Sequence, residues 1–180
     1  GERIFSHLLG SSYQGKITPV NLRHSSVAGL PSYSSLSKIP GQADLVVAVI
    51  PHDHYDTLFK ACRKKGLRHI ILIQDWENLP PESCKNARSI IQKYHGDELN
   101  ISVCNSAGVQ LPSLNLNIGT QADYPAGHIA LLTGHSTVSR NINHLLNTMH
   151  QGVSRHISLN YNLSPTTSAD WLNRFGHNRH

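Results

Sequence analysis

Ala43-Asp44-Leu45-Val46-Val47-Ala48-Val49-Ile50-Pro51 is a short apolar run, rich in β-branched residues, entered through one polar residue and closed by a proline. It does not alternate between apolar and polar positions. An unbroken run of this length is the pattern of a strand buried on both faces, as in parallel sheets covered by helices. Pro51 has no N–H to offer a ladder and marks the strand's carboxyl end. Ligands of open α/β sheets sit outside the carboxyl ends of the strands, so Pro51-His52-Asp53-His54 falls on the expected functional edge.

The pattern repeats downstream. Tyr55, Leu58, Phe59 and Cys62 recur at helical spacing, and Gly66 is a natural stop, which predicts a helix over 55–65. Residues 69–74 read as a second buried strand, followed by the polar turn Asp75-Trp76-Glu77-Asn78. A second helix is expected over 83–94, with Ala87, Ile90, Ile91 and Tyr94 inward. A third strand over 99–104 leads into Asn105-Ser106-Ala107-Gly108. Strand, helix, strand, helix, strand at this spacing is a parallel βαβαβ unit, and the right-handed crossover rule makes an α/β, Rossmann-like doubly wound parallel sheet its simplest form.

Upstream, Ile4, Phe5, Leu8 and Leu9 share one face of a helix expected over 1–13. Residues 16–21 read as a short strand and a second neighbour of 43–50. Residues 25–40, rich in Ser, Gly and Pro, read as loop with one helical turn at 34–37. Beyond the third strand, 111–124 looks irregular. A strand at 128–133, a helix at 137–149, a short strand at 157–159 and a helix at 169–175 then read as the start of a second, flavodoxin-like α/β unit. The expected division is 1–126 and 127–180.

The 180 residues suffice for one full domain and part of another. The formal charge of +5 and pI near 9.3 suit an anionic ligand such as a nucleotide or phosphate. Arg63-Lys64-Lys65, the densest basic cluster, reads as a solvated helix end. Basic residues are not interleaved with aromatics, which speaks against nucleic acid. No apolar run approaches the roughly 20 residues that span a bilayer, and no charged-then-apolar leader opens the chain. Cys62, Cys84 and Cys104 are odd in number and widely spaced, so the expectation is a reducing, cytoplasmic setting without a disulfide framework or zinc site. Thirteen histidines include the pairs His52/His54 and His177/His180, but neither pair has ligand partners at metal spacing beyond Asp53, and no metal is expected. No residue is assigned a catalytic role. Cys104 reads as a small buried hydrophobe before a nucleophile, His135-Ser136 lacks a nucleophile elbow, and Asp75 and Glu77 read as a solvated turn before an acid–base pair.

Several segments occur together in a telling order: Lys16-Ile17-Thr18-Pro19-Val20-Asn21, Val27-Ala28-Gly29-Leu30-Pro31-Ser32-Tyr33-Ser34-Ser35-Leu36, Ile39-Pro40, the run 44–51, Asn105-Ser106-Ala107-Gly108, Leu114-Asn115-Leu116-Asn117 and Gly127-His128-Ile129-Ala130. In this order they resemble the CoA-binding domain of the NDP-forming acyl-CoA synthetases, the superfamily of the succinyl-CoA synthetase alpha subunit. The similarity is best kept over residues 15–74. Asn105-Ser106 and Thr133-Gly134-His135-Ser136-Thr137-Val138-Ser139 look closest to the Pat-type protein lysine acetyltransferases, which fuse such a region to a GNAT domain. The resemblance implies coenzyme A or acetyl-CoA as ligand. Its ribose–phosphate end would meet Asn21 to Arg23, with Arg23 pairing a phosphate. Its pantetheine would pass Pro51, Gln74 and Asp75, and its thiol end would approach Asn105-Ser106. It also implies a GNAT or ATP-grasp domain as partner within the parent protein, and homo-oligomerisation.

The departures from the family pattern bear on this expectation. The family's first strand and Gly-rich turn would precede residue 1, and its phosphorylated histidine would follow residue 180. Val103-Cys104 stand in place of Gly-Pro, Trp76 stands in a loop of small residues, and Ser136 stands at a Gly that faces the phosphohistidine. Trp76 suits ligand stacking as well as packing. Three functions therefore compete. The first is a CoA- or acyl-CoA-binding region, non-catalytic by itself, of a larger acetyltransferase or synthetase-like protein. The second is a degenerate scaffold for protein–protein assembly or regulation. The third is dinucleotide binding, disfavoured by the lack of Gly-x-Gly-x-x-Gly.

Overall fold

The computed structural model describes residues 1–74 and 79–177. Helix α1 (Glu2–Gly10) is followed by a small hairpin of β1 (Ser26–Val27) and β2 (Leu30–Pro31), and then by β3 (Val46–Ala48), α2 (Tyr55–Lys65), β4 (His69–Ile73), α3 (Pro81–Tyr94) and β5 (Asn100–Leu111). The chain continues through β6 (Leu116–Ile118), β7 (Ala126–Thr133), α4 (Ser136–Thr148), β8 (Val153–Leu159) and α5 (Ser168–His177). The fold is mixed α/β around a parallel-dominated sheet, ordered β3-β4-β5-β8-β7, with β6 added antiparallel at the far end of β5.

Local chemistry explains the central elements. In α2, Tyr55, Phe59 and Cys62 fall at i, i+4 and i+7 and are buried. Gly66 ends the helix with φ +73, a conformation without strain only for glycine, and its N–H donates to the Arg63 carbonyl. Pro81 opens α3 at a position where a missing N–H costs nothing. Ala87, Ile91 and Tyr94 repeat the same spacing on its inner face, and the Phe59 and Tyr94 rings meet at 5.4 Å. The Tyr94 hydroxyl donates to Asp56 at 2.7 Å, locking the two helices together at the rim. Beneath them, Ile70, Leu72, Ile101 and Val103 form the floor of one core, while Ile73 and Cys104 turn to the opposite face and a second core beneath α1 and α5.

The sequence stretch that opens the fold forms a shorter strand than expected. Only 46–48 pair, in parallel register with 70–72. Val46 and Ala48 serve one core and Val47 the other, as an unbroken apolar run requires. Leu45 and Val49 stay 38% exposed, because β3 is an edge of the described sheet. The expected neighbour at 16–21 is not a strand of this sheet. It makes a single parallel bridge, Val20 to Tyr33, and hydrogen bonds run from Tyr33 N–H to the Pro19 carbonyl and from Asn21 N–H to the Tyr33 carbonyl. Pro19, lacking an N–H, cannot carry a ladder, so the segment pairs instead with Tyr33, just past the β1–β2 hairpin.

The last third also departs from expectation. The third strand does not stop at 104 but runs on to Leu111, β6 lies within the stretch read as irregular, and the short strand at 157–159 begins at Val153. β7 and β8 are parallel to each other, and β8 lies antiparallel to β5. The β5–β8 register shifts between Cys104 and Val109. Gly108 sits in that bend at φ +61, where a Cβ would overlap the Ile118 carbonyl, so both the conformation and the close approach of β6 demand glycine.

Candidate functional site

The register of β3, β4 and β5 places Ala48, Leu72 and Val103 side by side. The residues just beyond them therefore share one carboxyl edge. Pro51 lies exposed there and starts the helical turn His52–His54 that leads into α2. Gln74 is half-buried, its N–H donating to the Cys104 carbonyl at 3.1 Å. Its side-chain carbonyl accepts the Tyr55 hydroxyl at 3.2 Å. Burial pushes the Tyr55 phenol well above its ordinary range, so it remains a donor. Tyr55 thus has two jobs, one in the core and one at the edge. Helical spacing reveals only the first, because the hydroxyl's partner lies 19 residues away.

Asn105 and Ser106 follow on β5 and are committed to the second half of the chain. The Asn105 amide donates to the Gly134 carbonyl at 2.7 Å and the Leu159 carbonyl at 3.2 Å, and its own carbonyl accepts from the Asn160 amide at 3.2 Å. The side chain is buried and satisfied. The Ser106 and Ser136 hydroxyls lie 3.0 Å apart, the Ala107 N–H donates to Ser136 Oγ, and Gln121 Nε2 donates to the Ser136 carbonyl at 2.8 Å. The segment 133–136, which opens α4, is thereby clamped against the edge. Gly134, within the motif 133–139, belongs to this node, and so do Asn160 and Gln121, which nothing in local sequence pattern marks.

Asn21 turns its side chain onto its own loop, accepting the N–H groups of Arg23 and His24 at 2.9 and 3.2 Å. Arg23 is exposed on that turn. Asp75, together with Trp76 and Glu77, lies outside the described residues. The structure therefore brings Pro51, Gln74 and Asn105-Ser106 to one edge, with Asn21 and Arg23 on a separate surface turn. Cys104 is fully buried and burial pushes its thiol up to about 12, so it stays protonated at neutral pH, as a small hydrophobe does. Among the described residues no group of three His, Cys, Asp or Glu is placed to hold a metal ion, and no helix is long and apolar enough to cross a membrane.

Comparison with known proteins agrees with this architecture. The CoA binding domain family matches residues 1–110. The alpha subunit of ADP-forming acetate–CoA ligase II from Pyrococcus furiosus is 26% identical over 174 residues, 96% of this chain and 37% of the relative. An ADP-forming acetate–CoA ligase from Methanocaldococcus jannaschii is 23% identical over 166 residues, 91% of this chain and 23% of the relative. The chain thus spans little more than a third of the first of these and under a quarter of the second. In fold it is similar to a dinucleotide-forming acetyl-coenzyme A synthetase 1 from Ca. Korarchaeum cryptofilum, in complex with phosphate and ADP. That match has a TM-score of 0.81 at 20% identity and covers 98% of this chain and 38% of that one. A Pyrococcus horikoshii OT3 protein gives the same TM-score at 22% identity, covering 97% and 40%. With its parallel strand ends, their aligned edge residues and a match over 110 of its 180 residues, the chain belongs to the CoA-binding domain family.

Proposed function

We propose that this chain is the CoA- or acyl-CoA-binding region of a larger NDP-forming acyl-CoA synthetase-like protein, and that the region performs no catalysis by itself. The observation that supports the reading is the shared carboxyl edge of the parallel strands β3, β4 and β5, with Pro51, Gln74 and Asn105 in the segments that follow the paired residues. That edge is where α/β sheets take ligands, and it falls in the part of the chain that matches the family. Arg23, exposed and cationic, supplies a guanidinium for a CoA phosphate. Asp75 would join Gln74 along the pantetheine. The ADP-forming ligases among the relatives favour a synthetase parent. A Pat-type acetyltransferase parent is the alternative within this reading, distinguished by a GNAT domain rather than an ATP-grasp partner. A division near residue 126, self-association and a cytoplasmic setting belong to the same proposal.

Calorimetric titration of the 180-residue chain with CoA and acetyl-CoA tests it. Saturable heat is expected with both, weakened as salt rises because the ligand is polyanionic. No heat at millimolar ligand would overturn it.

One observation favours a second reading, a scaffold that keeps the fold without the ligand. Asn105 and Ser106 already have partners within the chain, in the bonds that hold 133–136 and Asn160. A folded chain that gives no CoA heat but self-associates in sedimentation would support the scaffold.

A further inference from the structure

Beneath α5 lies a cavity of about 280 Å³, on the face of the sheet away from α2 and α3. Its floor carries Ile71, Cys104, Val109 and Ile157, and its roof is Trp171 and Phe175. Pro51, Gln74 and Asn105 do not line it, so it is separate from the carboxyl edge.

Two cations stand at this apolar space. Arg155 lies over the Phe175 ring at 5.4 Å, and Arg174 over the Trp171 ring at 5.3 Å. A guanidinium held over a ring as a cation still has N–H groups with which to donate to an anion. Neither arginine is in an ion pair among the described residues. Asp170, one turn before Arg174, accepts from the Thr167 N–H and hydroxyl at 2.8 and 2.7 Å and also attracts Arg174 across a longer distance, without forming an ion pair with it. An apolar groove with two guanidiniums at its edge describes the complement of an amphipathic anion.

We infer that this cavity is a binding site for an unbranched medium-chain monocarboxylate, its alkyl tail against Ile71, Val109 and Ile157 and its carboxylate at Arg155 and Arg174. The volume equals about nine water-sized units, which fits a tail of roughly six to ten carbons. A carboxylate matches the guanidinium fork in shape and charge, and a neutral head group does not. The site does not rest on the CoA reading and stands or falls separately.

The test uses the whole chain, ¹⁵N-labelled, titrated with hexanoate, octanoate, decanoate and the neutral octanamide while the Trp171 indole signal is followed. Trp171→Phe assigns that signal. The expected result is saturable displacement by octanoate and an affinity that climbs roughly fourfold per added methylene until the cavity is full. Octanamide should bind at least about tenfold more weakly. The double substitution Arg155→Gln with Arg174→Gln should bring octanoate down to the level of octanamide. Ser102→Leu, which fills the cavity from its floor, should abolish binding. If that variant fails to fold, the arginine pair, on half-buried and exposed side chains, decides the matter. Absence of saturation by every acid, equal binding of acid and amide, or indifference to the arginine substitutions would overturn the site. Saturating CoA should leave the octanoate affinity unchanged, and competition would refute a separate site. A chain that fails to bind CoA but binds octanoate refutes only the proposed function.

Discussion

Lowering the pH should unlatch the second half of the chain through His156. This side chain is fully buried on β8. Its Nε2 lies 3.1 Å from the Thr133 hydroxyl and 3.2 Å from that of Ser139, and its Nδ1 has no partner. The Tyr124 ring packs against it at 4.9 Å. Burial holds its pKa down, from 6.5 to about 4. In the unfolded chain the ring titrates near its ordinary value, so acid stabilises the unfolded state first. The stability that neutral His156 confers is full above pH 6.5 and is lost as the pH falls toward 4, where the folded form also takes up the proton. At about 1.4 kcal/mol per unit, the shift corresponds to roughly 3 kcal/mol, of which about 2 should be gone by pH 5. Urea denaturation of the wild type and His156→Gln at pH 7, 6 and 5 measures it, since the other histidines contribute equally to both. The variant should lose about 2 kcal/mol less than the wild type between pH 7 and 5. Parallel pH profiles would refute the assignment, and so would a His156 ring signal titrating near 6.5 in the folded protein. Because Thr133 precedes Gly134, whose carbonyl accepts the Asn105 amide, the same protonation should loosen the clamp on the carboxyl edge.

Other predictions follow from single contacts. Asn105→Ala removes three hydrogen bonds from a buried node and strands their partners, so it should cost about 2–3 kcal/mol in chemical denaturation. Gly108→Ala should cost at least about 2 kcal/mol, because strain at φ +61 adds to overlap with the Ile118 carbonyl. Gly29→Ala, at φ +83 in open space, should cost about 1. An inverted order between those two would contradict the account of the β5 bend. Arg23→Ala should weaken CoA binding by about tenfold at low salt and leave the melting temperature unchanged, since its side chain is exposed. Unaltered affinity would remove Arg23 from the proposed site.

Much of the first half could be read directly from residue order. The helix at 55–65 was placed to the residue because three local signals coincide there: an apolar stripe at helical spacing, basic residues in the last turn and Gly66 at positive φ. The strand expected at 69–74 and the helix expected at 83–94, observed at His69–Ile73 and Pro81–Tyr94, are legible for the same reason, namely that their hydrophobic periodicity is set by neighbours within a few residues. The strand pattern puts Pro51 at the carboxyl edge, while Gln74, Asn105 and Ser106 enter the site through what the family resemblance implies.

Tertiary structure alone decided what those residues touch. β5 continues past Cys104 because a partner 55 residues further on, Leu159, pairs with it, and that pairing depends on two surfaces meeting rather than on any local pattern. β8 carries Ser158 and His156 inward, polar residues that mask its strand character until Thr133 and Ser139 arrive to satisfy the histidine. Residues 16–21, apolar enough for a strand, instead find their hydrogen-bond partner in Tyr33, just past the β1–β2 hairpin. Asn105, which the family resemblance implies as a ligand contact, has its amide held by Gly134 and Leu159, a commitment that only the tertiary structure reveals. Local periodicity determines where a helix or strand can form, but the choice of long-range partner is settled by which buried polar groups and strand edges satisfy one another in three dimensions.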